Sequence, residues 1–154
     1  MNLESILIPT RVAIPGTMVS VVFSECIRAN IPGIPFCDAE GRITGRITLK
    51  NILKTSCLPE YMVELANVLG NQLSCMEDVE AKAKQLMHNP VDPYVQGPHV
   101  SLASESLPVK ALALMEQNDT SYSFVVDADR YRGVITIQGL ARMLASFDDT
   151  HVDL

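Results

Sequence analysis

The chain has 154 residues, 47% hydrophobic and 19% charged, with a formal net charge of −6. That length holds one compact domain or two very small ones, and the apolar share belongs to a folded globule rather than a disordered chain. No apolar run approaches the roughly 20 residues that cross a bilayer, and the acidic balance excludes broad contact with a nucleic-acid backbone.

Residues Met1 to Pro9 lack the basic segment and cleavage site of a secretory leader, so a cytoplasmic location is expected. Cys26, Cys37, Cys57 and Cys75 form no CxxC pair and no zinc spacing with His88, His99 or His151. Free thiols and no metal are expected, with Cys26 and Cys37 on apolar faces.

In chain order, the first predicted element is a short strand, Arg11 to Ile14. A helix follows, because Val19, Val22, Phe23, Cys26 and Ile27 recur at helical spacing, with Thr17 as its N-cap. Ile34–Cys37 and Ile43–Thr48 form a hairpin about Asp38-Ala39-Glu40-Gly41, where glycine supplies positive φ. Leu49, Ile52 and Leu53 mark a closing helix. A connector then carries two predicted helices. One runs over Pro59–Leu69 and stops at Gly70. The other starts from the capping box Ser74-Cys75-Met76-Glu77 and carries Val79, Ala83, Leu86 and Met87. Pro90, Pro93 and Pro98 force extended chain after it.

The same order of elements then returns. A strand spans His99–Leu102. A helix carries Leu107, Ala111, Leu114 and Met115, with Ser106 as N-cap and Pro108 at its first position. Ser123–Val126 and Gly133–Thr136 flank a turn over Asp127–Arg132, and Ile137, Leu140, Ala141 and Leu144 mark the last helix. Val12-Ala13-Ile14 matches Val100-Ser101-Leu102 and Gly45-Arg46-Ile47-Thr48 matches Gly133-Val134-Ile135-Thr136 at an offset of 88, while Asp38 matches Asp127 at 89. An extra residue near Asp119 and one fewer in the second turn account for the drift. The predicted fold is therefore α+β: two βαββα repeats, residues 5–56 and 98–147, related by a pseudo-two-fold, with a helical connector over 57–97 and a polar tail over 148–154.

The string from Ile31 to Leu53 resembles the central signature of a CBS domain, with Phe124-Val125-Val126-Asp127 and Gly133-Val134-Ile135-Thr136 as the weaker second copy. The resemblance implies a tandem CBS pair, or Bateman module, whose two copies pack sheet to sheet and which often forms a homodimer. It implies sensing of an adenosyl ligand (AMP, ADP, ATP or S-adenosylmethionine) on behalf of an unknown protein partner, with no required cofactor.

In ligand-binding members of that family the adenine lies beside the segment entering the first hairpin strand, here Ile31, Pro32, Gly33, Ile34 and Pro35. A Thr-x-x-Asp turn contacts ribose and phosphate. The first copy has Thr48, Lys50 and Asn51 there; the second has Thr136, Gln138 and Gly139. Asn51 either accepts from ribose through its amide oxygen or caps the helix from Ile52 onward. Gly139 offers no acceptor, so the first copy is the expected nucleotide site. Tyr122 is a candidate for base stacking or a half-exposed strand residue. Arg11 and Val12 of the first strand, and Arg132, complete the candidate ligand contacts. Arg42, Arg46, Arg130 and Arg132 read either as phosphate ligands or as solvated edge charges.

No Ser-His-Asp or Cys-His arrangement, GxGxxG or Walker loop is present, so no enzyme is expected. The rival reading is a degenerate CBS pair that keeps the architecture and serves only as a dimerisation or interaction module.

Overall fold

In the computed structural model the described residues are 2–58, 63–68 and 79–148. Of the predicted helix over Pro59–Leu69 residues 63–68 are described, helical at 63–64 and turn over 65–68, and the capping box at 74–77 lies outside the described residues. The first half comprises α1 (Val19–Ala29), β1 (Gly33–Cys37), β2 (Ile43–Thr48) and α2 (Leu49–Cys57). The connector helix α3 spans Val79–Met87. The second half comprises β3 (Ser101–Leu102), α4 (Pro108–Gln117), β4 (Tyr122–Asp127), β5 (Arg130–Thr136) and α5 (Ile137–Ala145). Short 3₁₀ turns at Leu3–Ile6 and Asp92–Tyr94 precede the two halves. The architecture is α+β, two βαββα units in a pseudo-two-fold pair.

Local chemistry accounts for each hairpin. The Asp38 carboxylate accepts from the Glu40 and Arg42 N–H groups at 2.9 and 3.0 Å, and Gly41 takes φ +80°. The second turn is tighter than the expected Asp127–Arg132. Ala128 and Asp129 carry it alone at φ 49° and 61°, the backbone a two-residue type I′ hairpin needs. The register of β1 explains Pro35. It lies opposite Arg46, whose own N–H and C=O bond away from β1 to Gln96. Pro35 therefore leaves no ladder bond to β2 unmade, and its carbonyl accepts from Ala13 at 2.9 Å.

Helix starts and faces depart from the periodicity. Thr17 does not cap α1; its hydroxyl accepts from the Ile14 N–H at 3.0 Å, while Met18 and Leu107, rather than Thr17 and Ser106, occupy the cap positions without side-chain bonds. The caps made by side chains are those of Thr48 on Asn51 and Thr136 on Gly139, each 3.1 Å. α1 buries Val19, Val22 and Cys26 but leaves Ile27 72% exposed, because Glu25 takes the inward position. Arg28 and the Arg11 N–H hold that carboxylate, and the Arg28 hydrogen bond keeps its pKa below the usual range. Leu107 and Leu144 are likewise exposed, and Met143, absent from the predicted stripe, is buried beside Leu140.

The expected first strand, Arg11–Ile14, reduces to one parallel bridge between Ala13 and Phe36. That bridge corresponds to Leu102 on Val125, both members displaced by 89 residues. Val22 and Cys26 likewise match Ala111 and Met115, all four buried, at 89. The extra residue of the second copy therefore lies upstream of Leu102, not near Asp119.

The halves are joined by a reciprocal exchange of their leading segments. Ile8 pairs antiparallel with Val134 of β5, with both backbone bonds at 2.9 Å. Gln96, 88 positions later, pairs with Arg46 of β2, with bonds of 2.7 and 2.9 Å. Leu3 and Ile6 pack in a core with Ala111, Met115, Ile135 and Leu140 of the second half. Val91 packs in the other core with Val22, Ile34, Ile47 and Ile52 of the first. Ile6 thus packs in the core of the second half, whereas Ile8 lends that half its backbone and packs its side chain on the other core. Two glycines admit the crossing segments. A Cβ on Gly45 would lie 2.7 Å from Val95 and 2.8 Å from the Gln96 carbonyl; one on Gly133 would lie 2.5 Å from the Ile8 carbonyl.

Gly45→Ala and Gly133→Ala are each expected to destabilise the fold by roughly 1–3 kcal/mol, the cost of forcing a methyl into packed backbone. Urea unfolding measures this; wild-type midpoints for both variants would contradict the close approach.

Candidate functional site

A cleft of about 360 Å³ opens where the two halves meet. Pro32, Arg46, Thr48, Lys50, Asn51 and Lys54 form one wall. Asn118, Asp119, Thr120, Ser121 and Tyr122, between α4 and β4, form the other, and Gln96 of the crossing segment joins them.

Strand alternation places Arg46 and Thr48 on the cleft side of β2, while Ile47 between them is fully buried in the core. The chain turns into α2 as the Pro32 carbonyl accepts from Leu49 at 3.0 Å, and the Thr48 hydroxyl caps the helix. Accepting from Asn51 leaves the Thr48 hydroxyl proton free to donate. Lys50 and Lys54 stand one turn apart on one helix face, where like charges repel. Asn51 is the third residue of this helix rather than its cap. Its amide nitrogen donates to the Tyr94 carbonyl at 3.1 Å and its oxygen accepts from Thr55 at 3.5 Å.

The electrostatics are uncompensated. The ion pairs among the described residues engage Arg28, Arg42 and Arg132, and none engages Arg46, Lys50 or Lys54. Asp119 is the one carboxylate on the described walls. The Arg46 Nε and the Tyr122 hydroxyl are both buried without a hydrogen-bond partner, although Tyr122 is only 8% exposed. Burial pushes the Tyr122 phenol pKa up while the Arg46 charge pulls it back, and burial together with that same charge pulls His99 down. Buried polar groups are ordinarily satisfied. Both orphans belong to residues that line this one cleft.

Of the residues picked from sequence, Pro32, Thr48, Lys50, Asn51 and Tyr122 meet in this cleft. Tyr122 does so from the second copy, facing the first copy's turn. Ile31, Gly33, Ile34 and Pro35 are buried behind the wall, and a Cβ on Gly33 would lie 2.6 Å from the Ile47 carbonyl. Four others do not join the cleft. Arg11 lines a separate depression with Glu25 and Arg28, and Val12 neighbours it in the chain. Arg132 is committed to Asp127 at 2.8 Å and Glu4 at 3.2 Å. Thr136 is buried, with its hydroxyl capping α5. Sequence reasoning missed Lys54, Gln96, Asn118 and Asp119. The signal for Lys54 was its one-turn spacing from Lys50; for Gln96 it was the same 88-residue offset, from Ile8.

The model of the CBS domain family matches residues 83–146. The fold resembles the CBS domain of a CBS domain-containing membrane protein from Sphaerobacter thermophilus, at 20% identity and a TM-score of 0.66, covering 92% of this chain and 86% of that one. It also resembles CBSX2 in complex with AMP, at 15% identity and a TM-score of 0.61, covering 95% and 97%. A third similar structure is the CBS domain pair of protein MJ0100 in complex with 5′-methylthioadenosine and S-adenosyl-L-methionine, at 16% identity and a TM-score of 0.63, covering 96% and 98%. No curated protein sequence matches the chain significantly. The fold is that of a CBS-domain pair. The family match falls on the second repeat, and the likeness of fold to CBS-domain structures extends over both halves. No helix among the described residues is long and apolar enough to cross a membrane.

An unpartnered buried hydroxyl costs about 1–3 kcal/mol, so Tyr122→Phe is expected to raise the stability of the ligand-free protein by about 1 kcal/mol. Thermal or urea unfolding reads this directly. A clear loss of stability would show that the hydroxyl is satisfied in the free protein.

Proposed function

We propose that this chain is a non-catalytic regulatory module that takes an adenosyl nucleotide in the cleft of its first CBS repeat and transmits occupancy to a protein partner. The repeats are assigned to residues 5–56 and 98–147, joined by the connector over 57–97. The observation that carries the proposal is a cleft lined by Arg46, Lys50 and Lys54, none in an ion pair among the described residues, with the buried Arg46 Nε and Tyr122 hydroxyl unpartnered on residues of the same lining. The cleft volume falls within the range of small-molecule sites, roughly 300–1,000 Å³. Thr48 supplies a free hydroxyl proton for a phosphate oxygen, while Tyr122, nearly buried in the core against Phe124, forms part of the wall rather than a stacking platform. Solved relatives in complex with AMP and with S-adenosyl-L-methionine support this ligand class.

The second copy is the poorer candidate. Val134, Gln138 and Gly139 stand at the positions of Arg46, Lys50 and Asn51, and Gly139 packs against Ile6. Gly33 stands where Tyr122 stands in the other repeat, counted through the strand register.

One observation favours the interaction-module reading as an additional role. Ile27, Leu53, Val109, Leu112 and Leu144 are exposed on four different helices, and a homodimer would cover such faces.

Calorimetric titration of AMP, ATP and S-adenosylmethionine tests the assignment. Thr48→Ala and Thr136→Ala each remove a helix cap and are expected to cost about 1 kcal/mol of stability. Only Thr48→Ala, combined with Asn51→Ala, is expected to weaken binding. Binding that survives that pair of changes and vanishes in Thr136→Ala would reverse the assignment. Absence of heat with every adenosyl compound at millimolar concentration would leave the interaction module as the reading.

A further inference from the structure

The cleft's charge speaks to which adenosyl compounds it selects. Lys50 and Lys54 lie at i and i+4 on α2, a spacing that puts two ammonium groups together at a cost in stability. Arg46 brings a third cation from β2, and its Nε is buried without an acceptor. Its backbone is held on the Gln96 ladder, which fixes where the side chain leaves the strand. These three cations lie on the first-half wall, together with the capped N-terminus of α2, whose dipole adds partial positive charge. The nearly buried Tyr122 hydroxyl, an uncharged donor, also lacks a partner. The sole carboxylate on the described walls, Asp119, belongs to the other half.

We infer, resting on the adenosyl reading above, that this cleft selects a nucleoside di- or triphosphate and discriminates against S-adenosylmethionine. A polyphosphate carries several negative charges spread over a few ångströms. It can answer Arg46, Lys50 and Lys54 together, with Thr48 donating to one of its oxygens, and it relieves the repulsion between the lysines. AMP carries one phosphate and answers fewer of them. S-adenosylmethionine brings a sulfonium and an ammonium into a wall that is already positive, with only Asp119 and its own carboxylate to compensate. Polyphosphate selection is therefore electrostatic, and it weakens with salt.

The test is calorimetry on the full chain with ATP, ADP, AMP, adenosine, S-adenosylmethionine and inorganic tripolyphosphate, at low and at 0.5 M salt (about a half-nanometre screening length). The expected order is ATP and ADP above AMP, and AMP above S-adenosylmethionine, with the ATP preference shrinking at high salt. Lys50→Gln with Lys54→Gln, both at surface positions, is expected to weaken ATP roughly tenfold or more and leave adenosine unchanged. Thermal unfolding confirms that this variant is folded. S-adenosylmethionine binding as tightly as ATP would overturn the selection while leaving the adenosyl reading intact. Tripolyphosphate binding without any adenosyl compound would overturn the adenosyl reading and keep the polyanion site. No binding by any of the six compounds would overturn both.

Discussion

The exchange of leading segments governs the rest of this molecule. Residues 3–8 close the second half and residues 91–96 close the first, each by one antiparallel pair of backbone bonds and one set of buried apolar side chains. Two consequences follow from elementary constraints. The outer strands β2 and β5 gain partners, so each short sheet loses an exposed edge. Neither half can complete its core alone, so a chain too small for two independent cores still folds as a unit. The same exchange carries Gln96 into the cleft and holds the backbone of Arg46 through both its N–H and its C=O. The site is thus a by-product of how the halves are stitched together.

A symmetric frame holds an asymmetric surface. The Thr48 and Thr136 caps are geometrically alike, which makes the threonine in each repeat a structural residue before it is a ligand contact. What distinguishes the repeats is the chemistry around those caps. Arg46, Lys50 and Asn51 surround one; Val134, Gln138 and Gly139 surround the other. The free protein carries unrelieved cost in the first cleft, in repelling lysines and two unpaired buried atoms. Structures keep such features where a ligand removes the cost.

Much of the fold was legible because it is written twice. The glycine, threonine and aspartate landmarks recur at nearly constant spacing, and hairpins and helices could be read from turn residues and periodicity. Helix faces were less legible. A stripe such as Val19, Val22, Cys26 and Ile27 does not say which edge faces water, and Glu25 took the inner edge because Arg28 could neutralise it. The leading segments were illegible as strand, since a single bridge at Ile8 or Gln96 has no alternation to detect. The first wall of the cleft, Thr48 to Lys54, was readable as a local turn. Of the second, Tyr122 was readable as a candidate contact, but not that the segment Asn118 to Tyr122 faces the first copy's turn, because that approach depends on pairing between the halves and not on any local signal.

The central claim is that one ligand occupies a cleft built from both repeats. Backbone amide chemical-shift mapping by ¹⁵N NMR during an ATP titration tests it most directly. The account predicts that Thr48–Asn51, Gln96 and Asn118–Tyr122 shift together along one binding curve while Ile137–Gly139 stay in place. Shifts centred on Ile137–Gly139, or confined to one wall of the cleft, would contradict it.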